Sequence, residues 1–203
     1  MDHQEIEAKF FLHDLPAFEQ RLQDVGGTLS APRVFESNLR FDTPDGQFRL
    51  QRRVLRLRKD TINRLTYKDP GRVGETVSVR REIEFEVSDH DAARQLLEAL
   101  GYLVSTMYEK YRTTYQLDDV IVVLDEMPFG HFCEIEGPHP EAIERAAAKL
   151  RLKWEARCAE SYLAIFERFR FQTGIQAAHL TFDELANYAP VPEDLGLVYA
   201  DQG

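Results

Sequence analysis

Residues 4–11, Gln4-Glu5-Ile6-Glu7-Ala8-Lys9-Phe10-Phe11, decide how the chain is read. Their alternation is the period-two signature of a strand, in which residues i and i+2 share a face. Glu5, Glu7 and Lys9 stand on one side and Ile6 on the other. The same tripeptide recurs as Glu82-Ile83-Glu84 and Glu134-Ile135-Glu136. Each copy puts two carboxylates on one face and an isoleucine on the other, where it is expected to pack against a helix. Three such strands bring six carboxylates to one surface.

The basic residues alternate as well. In Leu55-Arg56-Leu57-Arg58 the guanidiniums share a face and the leucines share the opposite one. Thr66 and Lys68 share a face against Leu65 and Tyr67, and Lys110 and Arg112 flank Tyr111. Strands are expected near 4–11, 33–42, 53–59, 63–68, 77–87, 108–116, 120–126 and 131–137. Asp14 and Pro16 start a first helix that Gly26-Gly27 stops, with Leu15, Phe18, Leu22 and Val25 as its apolar face. Ser88 to Gly101 repeats that design with Leu96, Leu97 and Leu100. Pro140 to Leu152 and Glu155 to Phe171 give two more helices, the last stopped near Gly174. Asp69 to Glu75, with Gly71 and Gly74, reads as a flexible loop.

Composition bounds the rest. The chain has 203 residues, with 25 Lys and Arg against 35 Asp and Glu, a net charge of −10. At 43% hydrophobic it can bury a core. No stretch approaches the roughly 20 apolar residues of a membrane span, and no secretory signal opens the sequence. A cytoplasmic protein is expected. Cys133 and Cys158 have no CxxC spacing; Cys133, opposite Glu134, is expected in the core and Cys158 on a helix face. Trp154 reads as a helix-junction anchor. The acidic total hides a cationic block. Residues 49–81 hold eleven Lys and Arg against three Asp and Glu, a balance of +8, while 171–203 hold five acidic residues and no Lys or Arg. Such a layout argues against general nucleic-acid binding and for one anion site.

Two arrangements produce charged faces of this kind. One is a one-sided antiparallel sheet facing water. The other is a barrel with a polar interior and helices packed on its apolar exterior. Paired Glu and paired Arg or Lys on so many strands favour the barrel, because clustered carboxylates need cations or metal between them. Hard divalent ions take carboxylate and phosphate oxygens, and Arg forks with Lys point charges hold polyphosphate. Catalysis of phosphoryl transfer is largely positioning and charge neutralisation. There is no P-loop, GxGxxG, HExxH or GxSxG to offer a competing chemistry.

At this point the residues carry a family likeness. Glu5-x-Glu7-x-Lys9 resembles the ExExK signature of the CYTH family, named for class IV adenylyl cyclases and thiamine triphosphatases and also called triphosphate tunnel metalloenzymes. The likeness continues through Phe41-Asp42-Thr43-Pro44, Leu55-Arg56-Leu57-Arg58, Thr66-Tyr67-Lys68, Arg81-Glu82-Ile83-Glu84, Glu109-Lys110-x-Arg112, Leu124-Asp125-Glu126, Phe132-x-Glu134-Ile135-Glu136 and Ser161-Tyr162. It implies an α+β fold with a closed eight-stranded antiparallel β-barrel, the tunnel, and helices outside. The tunnel domain would span 1–170, with an acidic C-terminal extension over 171–203.

The resemblance also implies a site. Glu5, Glu7, Glu134 and Glu136 would hold Mg²⁺ or Mn²⁺. Lys9, Arg56, Arg58, Lys68, Lys110 and Arg112 would bind a triphosphate, with Glu82, Glu84 and Asp125 completing the acidic side. Glu5, Glu7, Lys9, Asp125 and Arg112 form the implied catalytic set. The stretch from Leu100-Gly101-Tyr102 to Glu134 looks most like the class IV adenylyl cyclase branch, which turns ATP into cyclic AMP and pyrophosphate. Thiamine triphosphatases of the family place a tyrosine just before the turn where this chain has Arg40-Phe41, a departure from that branch. Hydrolysis of an inorganic or organic triphosphate needs the same half of the site and stays open, as does a polyphosphate or nucleotide sensor without turnover. The expected partner is a small triphosphate such as ATP or tripolyphosphate, not nucleic acid or membrane, and the expected oligomer is a homodimer. The segment from Ile175 lies outside the likeness. It reads as a capped short helix at Thr181–Ala186 and an extended Pro190-Val191-Pro192, forming a lid, a partner contact or a loosely docked end.

Overall fold

The computed structural model describes residues 3–70 and 78–202, with side chains described for 6–70 and 79–202. Eight long strands carry the fold: β1 (His3–Leu12), β2 (Thr28–Asp42), β3 (Val54–Lys59), β4 (Asn63–Lys68), β5 (Ser78–Glu86), β6 (Leu103–Leu117), β7 (Val120–Met127) and β8 (Gly130–Glu136). A two-residue β9 (Arg157–Cys158) follows. Helices α1 (Leu15–Asp24), α2 (Gln47–Leu50), α3 (His90–Ala99), α4 (Pro140–Lys149), α5 (Tyr162–Thr173) and α6 (Pro192–Leu195) lie between and after them. The loop expected at 69–75 falls mostly outside the described residues.

Every neighbouring pair is antiparallel, in the order β5-β4-β3-β2-β6-β7-β8-β1, and β5 also pairs with β1. The order therefore returns on itself as a ring. The three strands that carry Glu-Ile-Glu, β5, β1 and β8, are consecutive neighbours in it. Helices cover much of the outer face. Asp14 caps α1 by accepting from the Ala17 amide at 3.0 Å. Phe18 and Leu22 of α1 join Ile143, Ala146 and Ala147 of α4 over Phe10, Leu124 and Ile135. Helix α3 lays Leu97 and Ala93 over Leu39, Leu55 and Leu57. Gly27 is required at the end of α1, since a Cβ there would meet the Leu22 carbonyl oxygen at 2.7 Å.

Several expectations are corrected. Leu96 and Leu100 are 60% and 65% exposed, because α3 seats Leu97 and Ala93 on the sheet and turns those two outward. Ile6 and Ile135 pack beneath helices, but Ile83 is 43% exposed and lies beside the cavity instead. The fourth helix expected from sequence begins at Tyr162, not Glu155. Residues Trp154–Ala156 form a 3-10 turn, and Arg157 and Cys158 pair with Phe10 and Lys9 along the β1 edge beyond the reach of β5. Unpaired edge groups there need partners, and β9 supplies them; Cys158 is thus a strand residue. Strand β2 begins at Thr28 rather than 33 because bulges around Ala31 and Val34 carry pairing past Pro32.

The C-terminal segment is docked. Leu180 bonds to β6 through Met107 and Glu109, and Ala200 bonds to Phe11 of β1. Leu180, Leu185 and Leu195 are buried with Phe166 and Phe169 of α5, against Phe11, Met127, Phe129 and Phe132. Thr181 Oγ1 accepts from the Glu184 amide as a cap would, yet 182–187 form turns and the short helix starts at Pro192. No helix among the described residues is long and apolar enough to cross a membrane.

Packing of this kind separates two leucine-sized positions. Ile135→Ala, at a fully buried site, is expected to lower unfolding free energy by about 2–5 kcal/mol. Leu96→Ala should change it by under about 0.5 kcal/mol. Urea denaturation checks both; a large cost at Leu96 would show that its face is covered.

Candidate active site

All eight long strands contribute to a cavity of about 890 Å³. Among the residues singled out from sequence, the cations Lys9, Arg56, Arg58, Lys68, Lys110 and Arg112 line it. So do the carboxylates Glu7, Glu82, Glu84, Glu134 and Glu136. Strand alternation explains the grouping, since each pair sits at i and i+2 with apolar neighbours turned outward. Glu5 stands opposite Arg80 in the β1–β5 register, and its side chain lies outside the described residues. Asp125 is not on the wall but behind it, at 0% exposure.

Asp125 is held by four hydrogen bonds. Lys110 Nζ donates at 2.9 Å, Arg112 donates through Nε at 2.7 Å and Nη2 at 2.6 Å, and the Tyr162 hydroxyl donates at 2.9 Å. The same Arg112 Nη2 reaches Glu134 at 2.7 Å. Lys9 Nζ lies 3.3 Å from the other Glu134 oxygen and 4.1 Å above the Tyr162 ring. Burial alone would push the Glu134 carboxyl up, but Lys9, Arg112 and Lys110 outweigh it and hold it well below the usual range. Burial works against the Lys9 ammonium and the Arg112 guanidinium too, and the surrounding carboxylates raise both.

A second carboxylate, Glu36 on β2, is 2% exposed on the other side of the β6 cations from Asp125. It is 3.5 Å from Arg58, 3.6 Å from Lys110 and 3.9 Å from Arg112. Burial raises it, yet those cations bring it down to about 2. Glu84 accepts from Thr66 at 2.7 Å and lies 3.4 Å from Arg56 and 3.5 Å from Arg58. Lys68 faces Glu82 at 3.1 Å. Ion pairs thus pre-arrange the cations along the wall.

Sequence reasoning gave no role to five contributors. Glu36 and Arg40 share a face of β2, and Arg80 shares one with Glu82 on β5; the i, i+2 signal was present for all three. Burial, with Arg56 and Arg80 nearby, pushes the Arg40 guanidinium below its ordinary value. Among the described residues no carboxylate pairs with Arg40 or Arg80. Tyr108 receives Arg56 at 3.4 Å; burial would raise its phenol, but Arg56, Lys110 and Arg40 bring it down. Tyr162 sits at the start of a helix, where strand alternation carries no signal.

The carboxylates can be tested against a hard divalent ion. Glu7 and Glu136 are direct partners in the β1–β8 register and both line the cavity. Like charges directly opposite one another repel unless a cation intervenes. Among the described residues no three carboxylate, histidine or cysteine side chains are arranged to hold a metal. Mg²⁺ needs no such cage, since it commonly takes one or two carboxylates with substrate phosphates and water. The oxygen donors present fit that pattern.

The CYTH domain profile matches residues 3–162. A protein of Methanocaldococcus jannaschii named as a candidate adenylate cyclase is 28% identical over 134 residues, 65% of this chain and 75% of that one. A candidate adenylate cyclase of Vibrio parahaemolyticus superposes with a TM-score of 0.72 at 24% identity, over 82% of this chain and 99% of that one. A Hippeastrum protein, described as a candidate adenylyl cyclase with a dominant triphosphatase activity, gives 0.62 at 20% identity, over 80% and 95%. At these identities the two solved structures speak for the fold alone.

Glu36 makes an acid-stability prediction. Its carboxyl is depressed in the folded protein, so its contribution is present above the ordinary glutamate value of 4.5 and is lost as pH falls toward about 2. The difference in stability between wild type and Glu36→Gln should shrink by about 3 kcal/mol across that window, read by denaturant titration at each pH. A difference independent of pH there would contradict the cationic surroundings of Glu36.

Proposed function

The chain belongs to the CYTH domain family, and on that premise we propose that its ring is a triphosphate tunnel, a closed barrel whose cavity binds a triphosphate with Mg²⁺ or Mn²⁺ and turns it over. The observation that carries this reading is one cavity lined by Arg56, Lys68, Lys110 and Arg112 and also by the facing pair Glu7 and Glu136. Polyphosphate requires the first set and its counter-ion the second.

In this reading Arg56, Arg58, Lys68, Lys110, Arg112 and Lys9 bind the phosphate chain. Asp125 and Glu36 take no part in bond making; they hold Lys110, Arg112 and Arg58 at fixed places, so little reorganisation is needed when charge develops. Glu7 and Glu136, with Glu5 and Glu134, would hold the ion, which when bound supplies neutralisation of phosphate charge and a more acidic attacking hydroxyl. Glu134 would exchange contacts to Lys9 and Arg112 for the ion as those cations turn to phosphate. Glu82 and Glu84 keep Lys68 and Arg56 in place.

The favoured reaction is that of a class IV adenylyl cyclase, in which the ATP 3′-hydroxyl attacks the α-phosphorus and the bond to pyrophosphate breaks. The M. jannaschii relative's name supports it. Triphosphate hydrolysis, with water as nucleophile, is the second reading. It is favoured by one feature of the cavity: its described aromatic side chains are Tyr108 and Tyr162, the first bonded by Arg56 and the second covered by Lys9. Both are buried, at 7% and 8% exposure, and so present little ring surface to a base.

Product analysis after incubation with ATP or tripolyphosphate and Mg²⁺ or Mn²⁺ separates the readings. Cyclic AMP with pyrophosphate is expected for the cyclase, orthophosphate for the hydrolase; tight binding without any product would leave only a sensor. Glu5→Gln and Glu7→Gln should each reduce turnover at least about 100-fold while the protein stays folded. Normal metal-dependent activity in both would sink the ion-site assignment.

A further inference from the structure

Lys9 is a cavity cation whose position depends on the chain beyond the eight long strands. Its ammonium donates to the Glu160 carbonyl at 3.1 Å and lies over the Tyr162 ring at 4.1 Å. Glu160 lies in the short link between β9 and α5 and Tyr162 is the first residue of α5; both line the cavity. What fixes that link lies farther along the chain. Arg168, two turns into α5, places Nη2 2.6 Å from the Glu160 carboxylate. Its Nε donates to the Leu195 carbonyl at 2.7 Å. Leu195 is fully buried in the core that α5 shares with the C-terminal segment. The guanidinium occupies the space beside Gly196 that a side chain would fill, since a Cβ there would lie 2.8 Å from Arg168 Nε. Residues 163–203 lie outside the stretch that matches the CYTH domain.

We propose that Arg168 is a positioning residue for Lys9. It clamps Glu160 to the buried Leu195 turn, and through the Glu160 carbonyl it sets where the Lys9 ammonium meets a phosphate oxygen. The inference rests on the reading of the cavity as a triphosphate site. Chemistry favours arginine here. Arg168 hydrogen-bonds the Leu195 carbonyl through Nε while its Nη2 stands in ion-pair contact with Glu160, two contacts at fixed separation that a lysine, a single flexible point charge, does not make together. The acidic segment acts in this account as a strut: it is bonded to β1 and β6 at its ends and passes its rigidity to one cation of the site.

The test compares Arg168→Ala and Arg168→Lys with Arg49→Ala, which removes an exposed ion pair to Glu167 on the same helix. Tripolyphosphate affinity with Mg²⁺ is measured by calorimetry, alongside KM, kcat and Tm. An independent readout is the labelling rate of Cys158, which lines the cavity with its Sγ 3.9 Å from the Glu160 carbonyl, while Cys133 is buried. Arg168→Ala is expected to weaken triphosphate binding about tenfold, to raise KM more than it lowers kcat, and to speed Cys158 labelling several-fold. Arg168→Lys should recover part of each effect, and Arg49→Ala should match wild type. Wild-type affinity and labelling in Arg168→Ala, even with a lowered Tm, would overturn the proposal. Wild-type protein that binds no triphosphate would instead overturn the site reading beneath it, a result distinct from a loss confined to the variant.

Discussion

The buried carboxylate of Asp125 is the constraint on which the site depends. Lys110, Arg112 and Tyr162 all donate to it, joining β6, β7 and α5 at one point. Arg112 then passes the connection to Glu134 on β8, and Glu134 passes it to Lys9 on β1. Burying charges costs several kcal/mol each unless geometry and hydrogen bonds compensate. A core of apolar side chains would stabilise the ring as well or better. The network is therefore better understood as a device that fixes cations where a polyanion can bind them. Removing one partner would leave the others unpaired, at about 3–5 kcal/mol.

The ring of strands makes such burial feasible. With β5 paired to β1, each long strand has neighbours and both faces acquire distinct environments. The outer face packs beneath α1, α4 and α3, while the inner face carries the ions. At one end the inner face turns apolar: Phe11 continues the face of Lys9, and Phe132 continues that of Glu134. Those aromatics are covered by α5 and the C-terminal segment rather than by solvent. The C-terminal segment thus completes the fold where the charged pattern ends.

Much of this was legible in sequence because strand alternation is a strong, local signal. The paired charges of β1, β3, β5 and β8 named the strands and the cavity wall together. Glu36 and Arg40 carried the same signal on β2, but without a repeated tripeptide to draw attention. The roles of Tyr162, named in the family likeness only as part of Ser161-Tyr162, and of Arg168 were illegible for a different reason. Their roles depend on where α5 docks, and no periodicity in the chain encodes that contact. Edge pairing likewise decided the 154–158 region: propensity alone allowed a helix, but the open edge of β1 took β9 instead. Leu96 and Leu100 show the limit of apolar patterning, since α3 has more leucine than its contact with β3 can cover.

The acidic average of the sequence conceals a cationic interior, and the central claim is that this interior holds a metal-bound triphosphate. A crystal structure grown with tripolyphosphate and Mn²⁺, using the anomalous signal of manganese, tests it most directly. The account predicts manganese in contact with Glu7 and Glu136, and phosphate oxygens against Arg56, Lys68, Lys110 and Arg112. A cavity without manganese or phosphate under saturating conditions, or triphosphate bound only on the outer surface, would contradict it.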